Sequence, residues 1–155
     1  MLIDETGITP ESNQLEMHPF LQLPAMLQFC HQHQINLTAY SPLGSLDRPA
    51  HLIQDNEPRL LEHPVIKKIA SDHAATPAQI IIRWAIQRST AVIPKSSNFN
   101  RLKENFEAQN IQLAEADMRE ISGLDQHYRF INGNIWTISG SPYTIENLWD
   151  EVLPK

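Results

Sequence analysis

Polar and apolar residues alternate along Asn13-Gln14-Leu15-Glu16-Met17 until Pro19 stops the run, which predicts a short strand. Pro24 suits a first helical turn. Ala25, Met26, Leu27, Phe29 and Cys30 then give a helical apolar face up to about Gln34. Ile35-Asn36-Leu37-Thr38-Ala39-Tyr40 reads as a second strand, ended by Pro42. A polar loop with Gly44, Pro49 and Pro58 follows for about twenty residues, long enough to suggest a function of its own. His63-Pro64 opens a helix in which Val65, Ile66, Ile69 and Ala70 share a face. Thr76-Pro77 is a cap followed by a first-turn proline, and it predicts a helix carrying Ile80, Ile81, Trp84 and Ala85. Thr90-Ala91-Val92-Ile93 is nearly all apolar, as buried parallel strands are, and Pro94 ends it. Asn98 is a candidate cap for a helix through Arg101, Leu102, Asn105 and Phe106. A last helix is expected from Glu115 to Leu124, with Met118, Ile121 and Leu124 at helical spacing. The remainder to Lys155 reads as mostly irregular and carries Trp136, Tyr143 and Trp149.

Strands that alternate with helices argue for an α/β fold with a parallel sheet. Three strands ending at polar or proline-marked positions fit a barrel whose site lies at that face. A closed (β/α)₈ barrel takes about 250 residues and eight strands. Three strands leave two open sheet edges, through which an isolated chain is expected to associate.

Composition narrows the function more than the fold. Of 155 residues, 41% are hydrophobic and 19% charged, as in an ordinary globular domain. The net charge of -6 argues against nucleic acid, which needs a concentrated basic face. The single Cys30 excludes an internal disulfide framework and suits a reducing compartment; its apolar neighbours favour a packing role. Residues 1–7 show neither a basic start nor an apolar run, and no stretch approaches a membrane span of about 18 apolar residues. The expectation is a cytoplasmic protein. The seven histidines show no zinc-type spacing; His31 and His33 diverge by about 200° on a helix, so no metal site is expected. His18, just before Pro19, reads as a hydrogen-bonded structural residue.

Candidate chemistry concentrates in Val92-Ile93-Pro94-Lys95-Ser96-Ser97-Asn98-Phe99-Asn100-Arg101. A strand delivers Lys95 and Ser96 to its end, and a helix capped by Asn98 starts at once. Free backbone N–H groups, the positive helix end, an ammonium, hydroxyls and the Arg101 guanidinium would then converge, which suits a phosphate. The plainer alternative is a capped surface helix with two solvated cations. In Ala39-Tyr40-Ser41-Pro42-Leu43-Gly44-Ser45, Tyr40 offers a ring for stacking, Gly44 close backbone approach, and Ser41 and Ser45 small donors. The alternative there is a tyrosine finishing a strand before a turn. Gln14 could serve an amide ligand as both donor and acceptor. Glu115, Asp117 and Glu120 look like a solvated helix face.

In this order and at these intervals, the segments resemble the aldo-keto reductase family. Asn13-Gln14-Leu15-Glu16-Met17-His18-Pro19 looks like its sixth barrel strand, Ala39 to Ser45 its seventh, and Ile93 to Asn105 its eighth with the adenosine-phosphate site. Leu60-Leu61-Glu62-His63-Pro64 and Thr76-Pro77-Ala78-Gln79 match the connecting segment. The resemblance implies a partial (β/α)₈ TIM barrel over residues 1–124 and a substrate-loop tail over residues 125–155. It implies NADP(H) as cofactor, with Gln14 on the nicotinamide carboxamide, Tyr40 stacked on the nicotinamide ring, and Ser41, Leu43 and Ser45 along the pyrophosphate. Asp47 would belong to the loop closing over it. Lys95, Ser96, Asn98 and Arg101, with Ser97 beside them, would hold the adenosine 2′-phosphate; Glu104 and Asn105 would meet the adenine. Ser97-Asn98-Phe99 departs from the commoner family residues at those positions.

The resemblance also implies an absence. In this family the Asp, Tyr, Lys and His that protonate the carbonyl come from the first four strands, and a Ser-Asn pair that completes carboxamide binding comes from the fifth. None of that sequence is in these 155 residues. The complete protein is expected to reduce small aldehydes or ketones with NADPH; the chain alone is expected to be inactive. The alternative is a nucleotide-binding or regulatory module without catalysis.

Overall fold

A computed structural model of the chain describes residues 2–149. The tail was expected to run to Lys155, and its last positions, 150–155, lie outside the described residues. Helix α1 (Leu2–Thr6), unannounced by any apolar periodicity, precedes strand β1 (Ser12–Glu16). Then come α2 (Pro24–Gln32), β2 (Asn36–Tyr40), α3 (Pro64–Asp72), α4 (Pro77–Gln87) and β3 (Thr90–Val92). Helices α5 (Phe99–Glu107), α6 (Glu115–Ser122) and α7 (Ile145–Leu148) follow, with short 3-10 turns between several elements. No helix among the described residues is long and apolar enough to cross a membrane.

The three strands form one parallel sheet in the order β1-β2-β3, as the alternation of strands and helices predicts. Gln14 pairs with Thr38 and Glu16 with Tyr40, while Leu37 pairs with Thr90 and Ala39 with Val92. One face of the sheet carries Leu15, Met17, Leu37, Ala39 and Val92 and is covered. Cys30 packs there with Met17, Leu37 and Ala39, the structural role its neighbours suggested. A second core joins α3, α4 and α6 through Ile66, Ile69, Ile80, Ile81, Trp84 and Ile121.

The other sheet face carries Gln14, Glu16, Thr38, Tyr40, Ala91 and Ile93; no helix among the described residues lies over it, and its Glu16 end is closed by Phe130 and Ile131 of the tail. The expectation of a buried third strand is therefore met only in part. Thr90 is buried, but Ala91 is exposed and Ile93 is 51% exposed. An apolar strand sequence reports a strand that can be covered on both faces; it does not supply the cover.

Local signals set the helix starts. Thr76 Oγ1 accepts from Gln79 N and the Gln79 side chain accepts from Thr76 N, a capping box with Pro77 in the first turn. His63 Nδ1 accepts from Val65 N ahead of α3, a cap that the sequence reading did not assign. Asn98 Oδ1 accepts from Arg101 N at 3.1 Å and fixes the start of α5 as expected.

Candidate functional site

The cleft lies where β2 and β3 end. After Tyr40 the chain curls sharply: Ser41, Gly44 and Ser45 all have left-handed backbone, with φ of 50°, 90° and 47°. Gly44 N donates to Ser41 O at 3.0 Å, and Ser45 Oγ donates to Ser41 Oγ at 2.7 Å. Two serines held in a conformation that L-residues disfavour form a rigid cup of small polar groups. After Val92 the segment Pro94-Lys95-Ser96-Ser97 leads straight into the capped α5. The two segments enclose a cleft of about 290 Å³ lined by Ser41, Leu43, Ser45, Asp47, Lys95, Ser96, Ser97, Asn98 and Arg101. An adjoining hollow shares Lys95, Ser96 and Arg101 and adds Glu104 and Asn105. Eleven of the thirteen residues singled out in the sequence thus line two continuous depressions.

The donors in the cleft suit an anion. Asn98 occupies one first-turn N–H of α5, and the others keep no partner within the helix. Ser96 Oγ accepts from Asn98 N at 3.1 Å and donates to Asn98 O at 3.3 Å, holding the turn closed. Lys95 Nζ lies 2.7 Å from Asp47 Oδ2 across the cleft, both side chains being largely exposed. That hydrogen bond and the Lys95 charge hold the Asp47 carboxyl below the usual aspartate range. Together, the ammonium, the guanidinium, the hydroxyls and the positive helix end match what a phosphate dianion requires.

Gln14 and Tyr40 stand apart from these depressions, on the open face of the sheet, with Gln14 exposed and Tyr40 half-buried. Burial, reinforced by the nearby Glu16 carboxylate, pushes the Tyr40 phenol up, against an opposing effect of Arg129. Tyr40 therefore offers a neutral ring on the open sheet face, one residue before the cleft begins at Ser41. Its backbone leads directly into Ser41, so open face and cleft share one turn.

The chain matches the model of the aldo/keto reductase family over residues 2–126. The chain belongs to the aldo/keto reductase family. An aldo/keto reductase of Synechocystis sp. is 49% identical over 152 residues, which cover 98% of this chain and 46% of that protein. The NADPH-dependent D-xylose reductase of Meyerozyma guilliermondii is 42% identical, over 87% of this chain and 43% of its own length. A crystal structure of a Gox0644 variant in complex with NADPH superposes with a TM-score of 0.70 at 38% identity, covering 80% of this chain and 41% of that one. The chain thus spans less than half the length of the relatives it matches, and the three-stranded α/β unit is a partial barrel of the aldo/keto reductase kind.

Beside the cleft, this aldo/keto reductase chain has a second set of contacts that no sequence motif announced. Glu16, at the end of β1, is fully buried. Its Oε1 accepts from Phe130 N at 2.7 Å and lies 3.0 Å from His18 Nε2, and its Oε2 accepts from Ile131 N at 3.2 Å. The structural reading of His18 is thereby met. Arg48 donates through Nη1 to Phe130 O at 2.8 Å and through Nη2 to both Glu57 oxygens at 2.6 Å. One tail residue, Phe130, is therefore gripped at both its N–H and its carbonyl. The signals available were a charged residue beside Met17 and Phe20 for Glu16, and an arginine beside Asp47 for Arg48. Neither points to the tail by itself.

Proposed function

We propose that this chain is the nucleotide-binding part of an NADP(H)-dependent aldo/keto reductase that reduces an aldehyde or ketone once the barrel is complete. The observation that carries the reading is the convergence of Lys95, Arg101 and the Asn98-capped end of α5 on the cleft that also holds Ser41 and Ser45. The assignment runs along that cleft. Lys95, Ser96, Ser97, Asn98 and Arg101 take the adenosine 2′-phosphate, and Glu104 and Asn105 in the adjoining hollow take the adenine. Ser41, Leu43 and Ser45 border the pyrophosphate, and Asp47 tethered to Lys95 draws the loop across it. Gln14 and Tyr40 lie on the open sheet face beyond, suited to the carboxamide and the ring of the nicotinamide. The NADPH-bound neighbour and the NADPH-dependent xylose reductase support this choice of nucleotide.

When bound, the reduced nicotinamide supplies the hydride. This chain's residues bind and orient it; none is assigned as the acid that protonates the carbonyl oxygen. Tyr40 is unsuited to that task, because its environment raises its pKa where an acid needs it lowered. Purified alone, the chain is expected to show no loss of reduced-nicotinamide absorbance with a reactive aromatic aldehyde. Clear turnover that disappears in Tyr40→Phe would overturn the assignment.

Titration of NADPH and NADH into the chain and its Arg101→Ala variant tests the phosphate end. A charge-assisted contact is worth roughly 1.5–3 kcal/mol, so NADPH affinity should fall about tenfold or more while NADH loses much less. Equal losses for both nucleotides would overturn the assignment of Arg101.

A further inference from the structure

Neighbouring residues of the loop hold on in opposite directions. Asp47 reaches over the cleft to Lys95, at 2.7 Å between two exposed side chains. Arg48 turns inward, and its pair with Glu57 is buried, with side-chain exposures of 7% and 5%. The same guanidinium donates to Phe130 O and lies 5.5 Å from the centre of the Phe130 ring. Phe130 is itself 1% exposed, and its ring packs on His18, Phe20 and Tyr128. It also lies against Gly44: a Cβ there would sit 3.2 Å from the ring edge. The cup that begins at Ser41 thus rests on the tail at Gly44 and is pinned to it at Arg48.

We infer that Arg48 is a positioning residue that makes the 41–47 loop and the 128–131 stretch of the tail move as one unit, so that occupation of the cleft orders the tail. The inference rests on the nucleotide reading only for what fills the cleft; the coupling is a property of the chain. The loop cannot lift away from the cleft while Arg48 holds Phe130 O, because Asp47 and Arg48 share a peptide bond. Lifting it breaks two hydrogen bonds to Glu57 and one to the tail inside a buried environment, where unpaired charge is strongly disfavoured. Glu16 holds Phe130 from the other side. The tail's attachment to β1 and its attachment to the loop therefore meet in a single residue. Group by group, this links whatever binds at Ser41–Asp47 to the segment that carries Arg129 beside Tyr40.

Hydrogen exchange on the whole chain, read by peptide mass spectrometry, tests the coupling. The wild type is compared with Arg48→Met and Arg48→Lys, each with and without NADPH. Without nucleotide, Arg48→Met should speed exchange about tenfold or more in both 41–47 and 128–131. With NADPH, the wild type should gain protection at 128–131 as well as at 41–47 and 95–101, whereas the variant should gain it only at the cleft. A merely structural role would not remove the nucleotide-dependent part. Arg48→Lys keeps the charge near Glu57 but cannot bond Glu57 and Phe130 O through a fork, so it should lose the tail response with the fold intact. It decides the matter if Arg48→Met unfolds. Faster loop exchange with an unchanged tail, or equal tail protection by NADPH in wild type and variants, would overturn the inference. If NADPH protects no segment of the wild type, the nucleotide reading fails, and the comparison without nucleotide still decides the coupling.

Discussion

Two ion pairs leave the same loop from adjacent residues, and they belong to different physical regimes. Lys95–Asp47 spans the cleft with side-chain exposures of 72% and 61%; Arg48–Glu57 is shut in at 7% and 5%. Water competes for the first pair, which is worth about 0–1 kcal/mol and can be exchanged for another anion at little cost. The second pair has no such exchange available. Both Glu57 oxygens accept from Arg48 Nη2 while Nη1 serves Phe130 O, and removing either partner of the pair leaves a charge without solvent. A site that must open needs pairs of the first kind. A hinge that must hold its position needs the second.

Removing Glu57 should give the largest effect. Glu57→Ala strands the Arg48 guanidinium and is expected to cost about 3–5 kcal/mol, seen as a large drop in the urea midpoint by circular dichroism. A loss below about 1 kcal/mol would place this pair in the same regime as the exposed one. Next comes Gly44→Ala, which forces a Cβ into left-handed backbone and against the Phe130 ring. The expected cost is about 1–3 kcal/mol, with tryptophan fluorescence from the tail altered as well. An unchanged midpoint would mean that the loop does not rest on the tail as described.

Asp47→Asn should give the smallest effect on stability, within about 0–1 kcal/mol, because the pair it removes is exposed. The same residue carries a pH signature. Its carboxyl is held below its unfolded value, so its contribution is fully present above that unfolded value and fades as pH falls through the folded one. A carboxyl-carbon titration by NMR should place the Asp47 midpoint below that of ordinary aspartates, and Lys95→Met should move it back up. A normal midpoint in the wild-type chain would mean that the Lys95–Asp47 contact is not populated in solution.

The cleft was more legible in the sequence than the tail anchor, for a reason of distance along the chain. Asn98 caps α5 through a residue three positions on, and Thr76 does the same for α4, so both starts could be read from a few adjacent letters. Lys95 and Ser96 follow from the end of a strand. Glu16 and Phe130 are 114 positions apart, and Arg48 and Phe130 are 82 apart. No local pattern encodes such a meeting; only the packing of β1, the loop and the tail together does. Glu16 lies inside the alternation that predicted β1, where a polar letter in a strand suggests solvent. It is instead fully buried, with hydrogen bonds from two backbone N–H groups. The strand bounds were recovered to within about a residue or two, while the exposure of Ala91 and Ile93 depended on what covers the sheet, which a strand's own sequence does not record.

Helix α5, which carries Arg101, Glu104 and Asn105, has no buried residue, and its Phe99, Leu102 and Phe106 are 79%, 46% and 73% exposed. It is held by the Asn98 cap and by a bond from Gln79 Nε2 to Glu104 O rather than by a packed face. A nine-residue helix without a buried stripe is near the limit of what helix formation alone sustains, so its winding and unwinding is a local equilibrium distinct from global unfolding. Any ligand that needs α5 wound binds only the wound fraction, and its apparent dissociation constant rises by the inverse of that fraction. Covering the three apolar side chains would therefore tighten binding at the cleft by favouring the wound helix.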